Sequence, residues 1–175
     1  IAITNFADSP MAQVSDHCLP LQAGEEKSVA ATKTFIASVT AGLAVLAGWQ
    51  QDADLAKAVA ALPDALAKAV ALDWSPLSAR LVRAESVYVL GRGPGYAVAC
   101  EAALKMKETC GLHAEAYSAA EVLHGPAALA QSQFPVLALG VQDAALPQLL
   151  ATAERLAAQG ADVFVTGAEA KGAFT

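Results

Sequence analysis

Ser86-Val87-Tyr88-Val89-Leu90-Gly91-Arg92-Gly93-Pro94-Gly95 is a run of apolar and β-branched residues that ends in three glycines and a proline. Apolar side chains at consecutive positions leave no face for solvent, so the run from Ser86 to Leu90 reads as a strand buried on both sides. The glycine-rich turn then releases the chain into a helix expected over about Gly95 to Cys110. A strand over Val136 to Gly140, a helix over Leu146 to Gln159 and a strand over Asp162 to Thr166 continue the alternation. Continuous apolar strands separated by helices predict a parallel sheet covered on both faces, a doubly wound α/β architecture.

Upstream of this unit, Ile1 to Asn5 reads as a short strand that opens into turn residues Asn5 to Pro10, and Cys18 to Leu21 reads as a second strand. A long helix is expected from about Val29 to Gln50, with Glu25 and Glu26 beside its positive dipole end. Its Phe35 to Trp49 stretch is apolar enough to require a buried position and too short to span a membrane, so it reads as a core helix. Asp52 to Leu72 repeats apolar residues at three and four spacing, with Lys57 and Lys68 opposite, and Pro63 is expected to kink or divide that helix. A short helix through Arg83 leads back to Ser86.

The chain has 175 residues, 55% of them hydrophobic, and a formal net charge of -6. That composition suits a densely packed globular protein and gives no sequence-wide attraction for nucleic acid or for an anionic membrane surface. Neither is therefore expected as a partner. Cys18, Cys100 and Cys110 have no CxxC spacing and their odd number leaves one unpaired, so a reducing cytoplasm is the simplest setting. Both ends look cut: the chain opens on a strand without an initiator Met and stops just after another.

Four segments have the residue types that chemistry needs. Gly91 to Tyr96 sits between strand and helix, where backbone N–H groups can hold a phosphate. It is not a dinucleotide fingerprint, because the third glycine falls one place early, and a tight turn explains it equally well. Lys105 and Glu108 lie three apart on one helical face, although Glu101 and Lys107 nearby also suit an ordinary charged surface. The segment from His113 to Pro126 gathers two of the three histidines among small residues and ends in a Gly-Pro turn. A histidine side chain can take up or release a proton near neutral pH, and an imidazole beside that turn, at His124, together with the Glu108 carboxylate would suit moving protons on a sugar and opening its ring. Glu121 and His124 on one helical turn are the rival, as a metal pair, but no third or fourth ligand stands at a recognisable spacing. His17 and His113 read as hydrogen-bonded structural histidines. Finally, Glu26 to Lys33 combines a helix start with backbone donors for a sugar hydroxyl or phosphate, or else uses Ser28 as a helix cap.

Taken together these segments resemble the sugar isomerase (SIS) domain proteins. Ala23-Gly24-Glu25-Glu26-Lys27-Ser28-Val29-Ala30-Ala31-Thr32-Lys33-Thr34-Phe35 resembles the element that closes the first SIS domain of the isomerising glutamine:fructose-6-phosphate amidotransferases. Leu90 to Gly93, Glu101 to Glu108, His113 to Tyr117, Glu121 and His124-Gly125-Pro126 resemble the second SIS domain. The resemblance implies a flavodoxin-like αβα sandwich around a doubly wound parallel sheet. Residues 1–50 would be the C-terminal part of a first SIS domain, and residues 51–175 linking helices and most of a second, truncated at its C-terminus. It further implies a homodimer acting on a hexose 6-phosphate. Glu108 would be the base that moves a proton between C1 and C2, Lys105 the lysine beside it, and His124 the ring-opening histidine contributed across the dimer interface. Val29, Ala31 and Thr32 would contact the sugar, with Ala31 standing where relatives often have Ser. On this reading the Ser/Thr-rich phosphate loop lies upstream of Ile1 and a Lys-containing tail beyond Thr175, so the chain alone is expected to be inactive. The chemistry needs acid and base only, without metal or organic cofactor. Glucosamine-6-phosphate deaminase is the leading expectation, with the isomerase part of a glutamine-dependent glucosamine-6-phosphate synthase as the close alternative and a non-catalytic sugar-phosphate-binding SIS module as the other.

Overall fold

A computed structural model describes residues 1–174, and the chain divides into two compact units between Asp73 and Trp74.

In the first unit, strands β1 (Ala2–Thr4) and β2 (Cys18–Pro20) pair in parallel, with the short helix α1 (Pro10–Gln13) between them. The Ser9 side chain accepts from the Ala12 amide and Pro10 opens the first turn, as helix starts favour. Helices α2 (Lys33–Gln50) and α3 (Ala53–Val70) follow. Helix α2 begins at Lys33, not near Val29, and residues 28–30 form a bend. Helix α3 is not divided at Pro63. Pro63 is exposed, so the Val59 carbonyl that loses its partner remains within reach of water.

The expected burial of α2 is also corrected. Ala47 is its one buried residue, whereas Ile36, Val39, Leu43 and Val45 are exposed and Trp49 is 84% exposed. Two three-residue strands and two neighbouring helices supply too little surface to cover an 18-residue apolar helix on all sides.

The second unit contains α4 (Ser75–Leu81), β3 (Ser86–Gly91), α5 (Pro94–Cys110), β4 (His113–Ser118), β5 (Pro135–Leu139), α6 (Leu146–Ala158) and β6 (Asp162–Thr166). Two 3-10 turns, Glu121–His124 and Pro126–Ala128, occupy the link from β4 to β5. The four strands are parallel in the order β4-β3-β5-β6. The chain steps from β3 to β4 on one side and then crosses to β5 on the other, the arrangement of doubly wound, flavodoxin-like sheets.

Strand β3 explains why both faces are covered. Val87 and Val89 pack into one apolar cluster with Ala99 and Ala103 of α5, and Tyr88 and Leu90 pack into another with Leu149 and Leu156 of α6. Strands β5 and β6 alternate in the same way: Val136, Ala138, Val163 and Val165 join the α6 side, Leu137 and Phe164 the α5 side.

The segment His113 to Ser118, to which the sequence pattern assigns no element, is strand β4 at the sheet edge, pairing residue for residue with β3 from Ser86–His113 to Gly91–Ser118. Ala114 and Ala116 belong to the α5 cluster, and such small side chains let a helix approach the strand closely. At its start the Ser86 hydroxyl and His113 Nδ1 are 2.8 Å apart.

The turn after β3 has no room for a side chain. A Cβ on Gly91 would lie 2.4 Å from the Gly95 carbonyl oxygen and 2.7 Å from the Tyr96 Cα. Both are backbone atoms of the first turn of α5, which cannot move aside without shifting the helix. Gly91→Ala is accordingly expected to lower the unfolding free energy by about 1–3 kcal/mol, the range for overpacking. Denaturant unfolding at unchanged m-value would measure it.

Candidate functional site

The α5 surface carries a cluster of three charged side chains. Lys105 Nζ lies 2.7 Å from Glu108 Oε2 and 3.2 Å from Glu101 Oε1. All three side chains are partly sheltered, at 20–29% exposure, because Ala99 and Ala103 on the neighbouring helical positions are buried against the sheet. The hydrogen bond to Glu108 raises the Lys105 pKa, with Glu101 adding to the effect and partial burial opposing it. Lys105 is therefore a fixed cation at neutral pH, a poor proton donor but a good partner for developing negative charge. It binds one oxygen of Glu108, which fixes the carboxylate while Oε1 has no hydrogen bond among the described residues.

His124 stands at the end of the first 3-10 turn, exposed and without a hydrogen-bond partner among the described residues. Gly125 follows with φ 148°, a conformation that disfavours any side chain, and so redirects the chain into the Pro126 turn. The segment that carries His124 covers the sheet face opposite α5: Val122 is fully buried in the α6-side cluster. Within one chain the structure therefore joins Lys105 to Glu108 and leaves His124 on the other side of the sheet. Glu121, the metal-pair candidate, is exposed beside it, and the described residues contain no group of three or more His, Cys, Asp and Glu able to hold a metal ion.

Arg92, in the glycine-rich turn, donates from Nη1 to the Ser118 hydroxyl at 3.0 Å. The guanidinium thus ties the ends of β3 and β4 together. Tight packing at Gly91 and a positive φ of 54° at Gly93 account for both glycines by geometry. Tyr117, on β4, donates to Glu115 at 2.8 Å, and that bond together with burial pushes its phenol up to about 12.

In the first unit, the expected sugar-contacting residues lie on the chain just before α2. Val29 is 93% exposed, and Ala31 and Thr32 are exposed as well. Ser28 does not cap α2. The N-cap is Thr32, which makes no side-chain cap bond, and Glu26 caps from outside: its Oε1 accepts from the Thr32 amide at 3.1 Å, the Thr34 amide at 2.8 Å and the Thr34 hydroxyl at 3.1 Å. Lys33 Nζ donates to the Glu25 carbonyl at 2.7 Å, and Asn5 holds the preceding loop through its side chain, which donates to Gly24 O and accepts from the Ala23 amide. The residues 23–34 therefore form a pinned turn. The capping function of Glu26 escaped sequence reasoning because the usual box places the acidic residue after the cap, whereas here it precedes it. Beside the turn, a largely apolar groove of about 580 Å³ is lined by residues including Leu19, Leu21, Lys33, Ile36 and Thr40.

Comparison with known proteins agrees with this architecture. A family model described as SIS domain matches residues 1–48 and 80–168. Glutamine–fructose-6-phosphate aminotransferase [isomerizing] from Acinetobacter baylyi is 34% identical over 98% of this chain, which spans only 30% of that relative's length. The crystal structure of a candidate phosphosugar isomerase from Silicibacter pomeroyi superposes with a TM-score of 0.93 at 48% identity, covering 99% of this chain and 53% of the other. Glucosamine-6-phosphate deaminase from Thermotoga maritima superposes with a TM-score of 0.64 at 25% identity, over 94% of this chain and 51% of the other.

Glu26 gives this region a pH signature. Its pKa is lowered, chiefly by the hydrogen bond from the Thr34 amide. A depressed carboxylate contributes its stability fully above the unfolded value, about 4.3, and loses it as pH falls through the lower folded value. Glu26→Gln is expected to speed amide exchange at Thr32 and Thr34 at neutral pH. The difference from the unsubstituted protein should shrink in acid, and an equal difference at both pH values would contradict the capping assignment.

Proposed function

The chain belongs to the SIS domain family, and from that premise we propose that it supplies the proton-transfer part of an enzyme acting on amino-hexose 6-phosphates. The observation that carries the reading is the Lys105–Glu108 pair, a carboxylate fixed at one oxygen by a cation that stays charged. In the proposed deaminase reaction, His124 assists ring opening of glucosamine 6-phosphate by proton transfer to the ring oxygen. Glu108 removes the proton from C2 and returns it to C1, by way of an enolamine. The resulting C2 imine takes up water and expels ammonia, leaving fructose 6-phosphate. Lys105 offsets the negative charge that builds up on the substrate oxygen during the transfer. Val29, Ala31 and Thr32 supply contacts to the sugar from an exposed, pinned backbone. No step requires a metal or an organic cofactor.

Because α5 and the His124 segment cover opposite faces of the sheet, His124 would serve the Glu108 of a second copy, which makes the working enzyme a homodimer. The three free thiols, Cys18, Cys100 and Cys110, suit a reducing, cytoplasmic setting, and no described helix is long and apolar enough to cross a membrane.

A second reading, the isomerase part of a glutamine-dependent glucosamine-6-phosphate synthase, is favoured by the aminotransferase match along 98% of the chain. The two differ in whether ammonia is released or delivered from glutamine. A non-catalytic sugar-phosphate-binding module would need neither Glu108 nor His124.

Incubating the full-length protein with glucosamine 6-phosphate and assaying ammonia and fructose 6-phosphate separates these readings. Release of both supports the deaminase; synthesis of glucosamine 6-phosphate only with glutamine supports the synthase; binding without turnover leaves the module. In either enzyme, Glu108→Gln is expected to reduce turnover by about 10²–10⁴-fold with sugar phosphate still bound. Unchanged turnover would remove Glu108 from the base role.

A further inference from the structure

The link from β4 to β5 is where a doubly wound fold would ordinarily place a helix to cover the sheet. Here it is built from two short 3-10 turns. Such turns have poorer hydrogen-bond geometry than an α-helix and rarely persist beyond a few residues, so the position of His124 depends on what holds the link to the rest of the unit.

Two buried hydroxyls hold it, one on each side of the histidine. Five residues before His124, the Ala119 carbonyl accepts from Thr152 Oγ1 of α6 at 2.9 Å, while the Ala119 amide donates to the Gly91 carbonyl at 2.9 Å. Two residues after it, the Pro126 carbonyl accepts from the Tyr88 phenol of β3 at 3.2 Å. Thr152 is 3% exposed and Tyr88 1%. Thr152 is a buried polar side chain on a helix whose other buried side chains are apolar. A hydroxyl at such a site is unfavourable unless it is bonded, and its bond goes to the backbone of the His124 link. Tyr88 is held in turn by aromatic contacts with Tyr117 and Phe134 at 5.0 and 4.7 Å, and burial raises its pKa, so the phenol remains a donor at neutral pH. Between the two anchors Val122 is fully buried.

We infer that Thr152 and Tyr88 are positioning residues for His124, two buried hydroxyl anchors that fix the link at residues 119 and 126, before and after the histidine in the chain, and so set where the imidazole is presented. The inference rests on the function proposed above for His124. Neither anchor touches the substrate or the reacting atoms. They act through the backbone at residues 119 and 126.

The test uses the full-length protein with Thr152→Val, Thr152→Ser and Tyr88→Phe, read by amide exchange and by steady-state kinetics with glucosamine 6-phosphate. Loss of one net hydrogen bond corresponds to roughly a five- to tenfold change in an opening equilibrium. Amides between residues 119 and 130 should exchange faster by about that factor in Thr152→Val and in Tyr88→Phe, with β5 and β6 unchanged. A misplaced catalytic group should lower kcat by about 10- to 100-fold with KM within about twofold, and Thr152→Ser, which retains the donor, should restore both readouts. Tyr88→Phe removes a single oxygen and carries the same comparison should Thr152→Val fail to fold. Unchanged exchange in the link, or faster exchange spread evenly over the sheet, would overturn the anchoring. Local loosening with kcat unchanged would overturn the positioning. His124→Asn separates the two claims: if it leaves turnover intact while Thr152→Val lowers it, the anchors act through another group and the inference fails, whereas intact turnover in both with a loosened link marks failure of the His124 assignment as well.

Discussion

The second unit is organised around a central strand, β3, that has no solvent face. Its residues Val87 to Leu90 are 0–1% exposed and point alternately into two separate apolar clusters, so each side of the sheet must be covered by a different part of the chain. One side takes α5, and the other takes α6 together with the 3-10 link. Burial of these side chains at roughly 1.5–3 kcal/mol each is large compared with the worth of any exposed ion pair in the unit. Packing at β3 therefore decides where the charged groups go.

That division has a chemical consequence. The carboxylate–lysine pair is on α5 and the imidazole is on the link, with the sheet between them. Within one copy the two apolar clusters that flank the sheet lie between them. On the function proposed above, the same layering that stabilises the unit calls for a second copy to bring Glu108 and His124 to one substrate.

Burial and hydrogen bonding also separate two kinds of polar group. Lys105, Glu108 and His124 are at least partly open to solvent, as the role proposed for them requires. Tyr88 and Thr152 are enclosed and spend their hydroxyls on backbone carbonyls. In the first unit the contrast recurs on a smaller scale: Glu26 is consumed by the start of α2, while Val29 stays in solvent with no internal partner to cover it.

Much of this was legible in the chain itself. The run Ser86 to Leu90, the following glycines and the later apolar strands fix a doubly wound sheet, because hydrophobic periodicity is a local property and a fully buried strand admits few alternatives. The three-residue spacing of Lys105 and Glu108 likewise placed them on one helical face. Strand β4 was hidden because His113, Glu115 and Ser118 look polar when read alone, and their strand pairing exists only beside β3. The anchors at Ala119 and Pro126 were hidden for a related reason: Thr152 and Tyr88 are 33 and 38 residues from the carbonyls they bind. Sequence determined the elements and the chemistry available, since these follow from neighbouring side chains. Which face of the sheet each group occupies was decided by the tertiary structure, where residues far apart in the chain compete for the same buried surface.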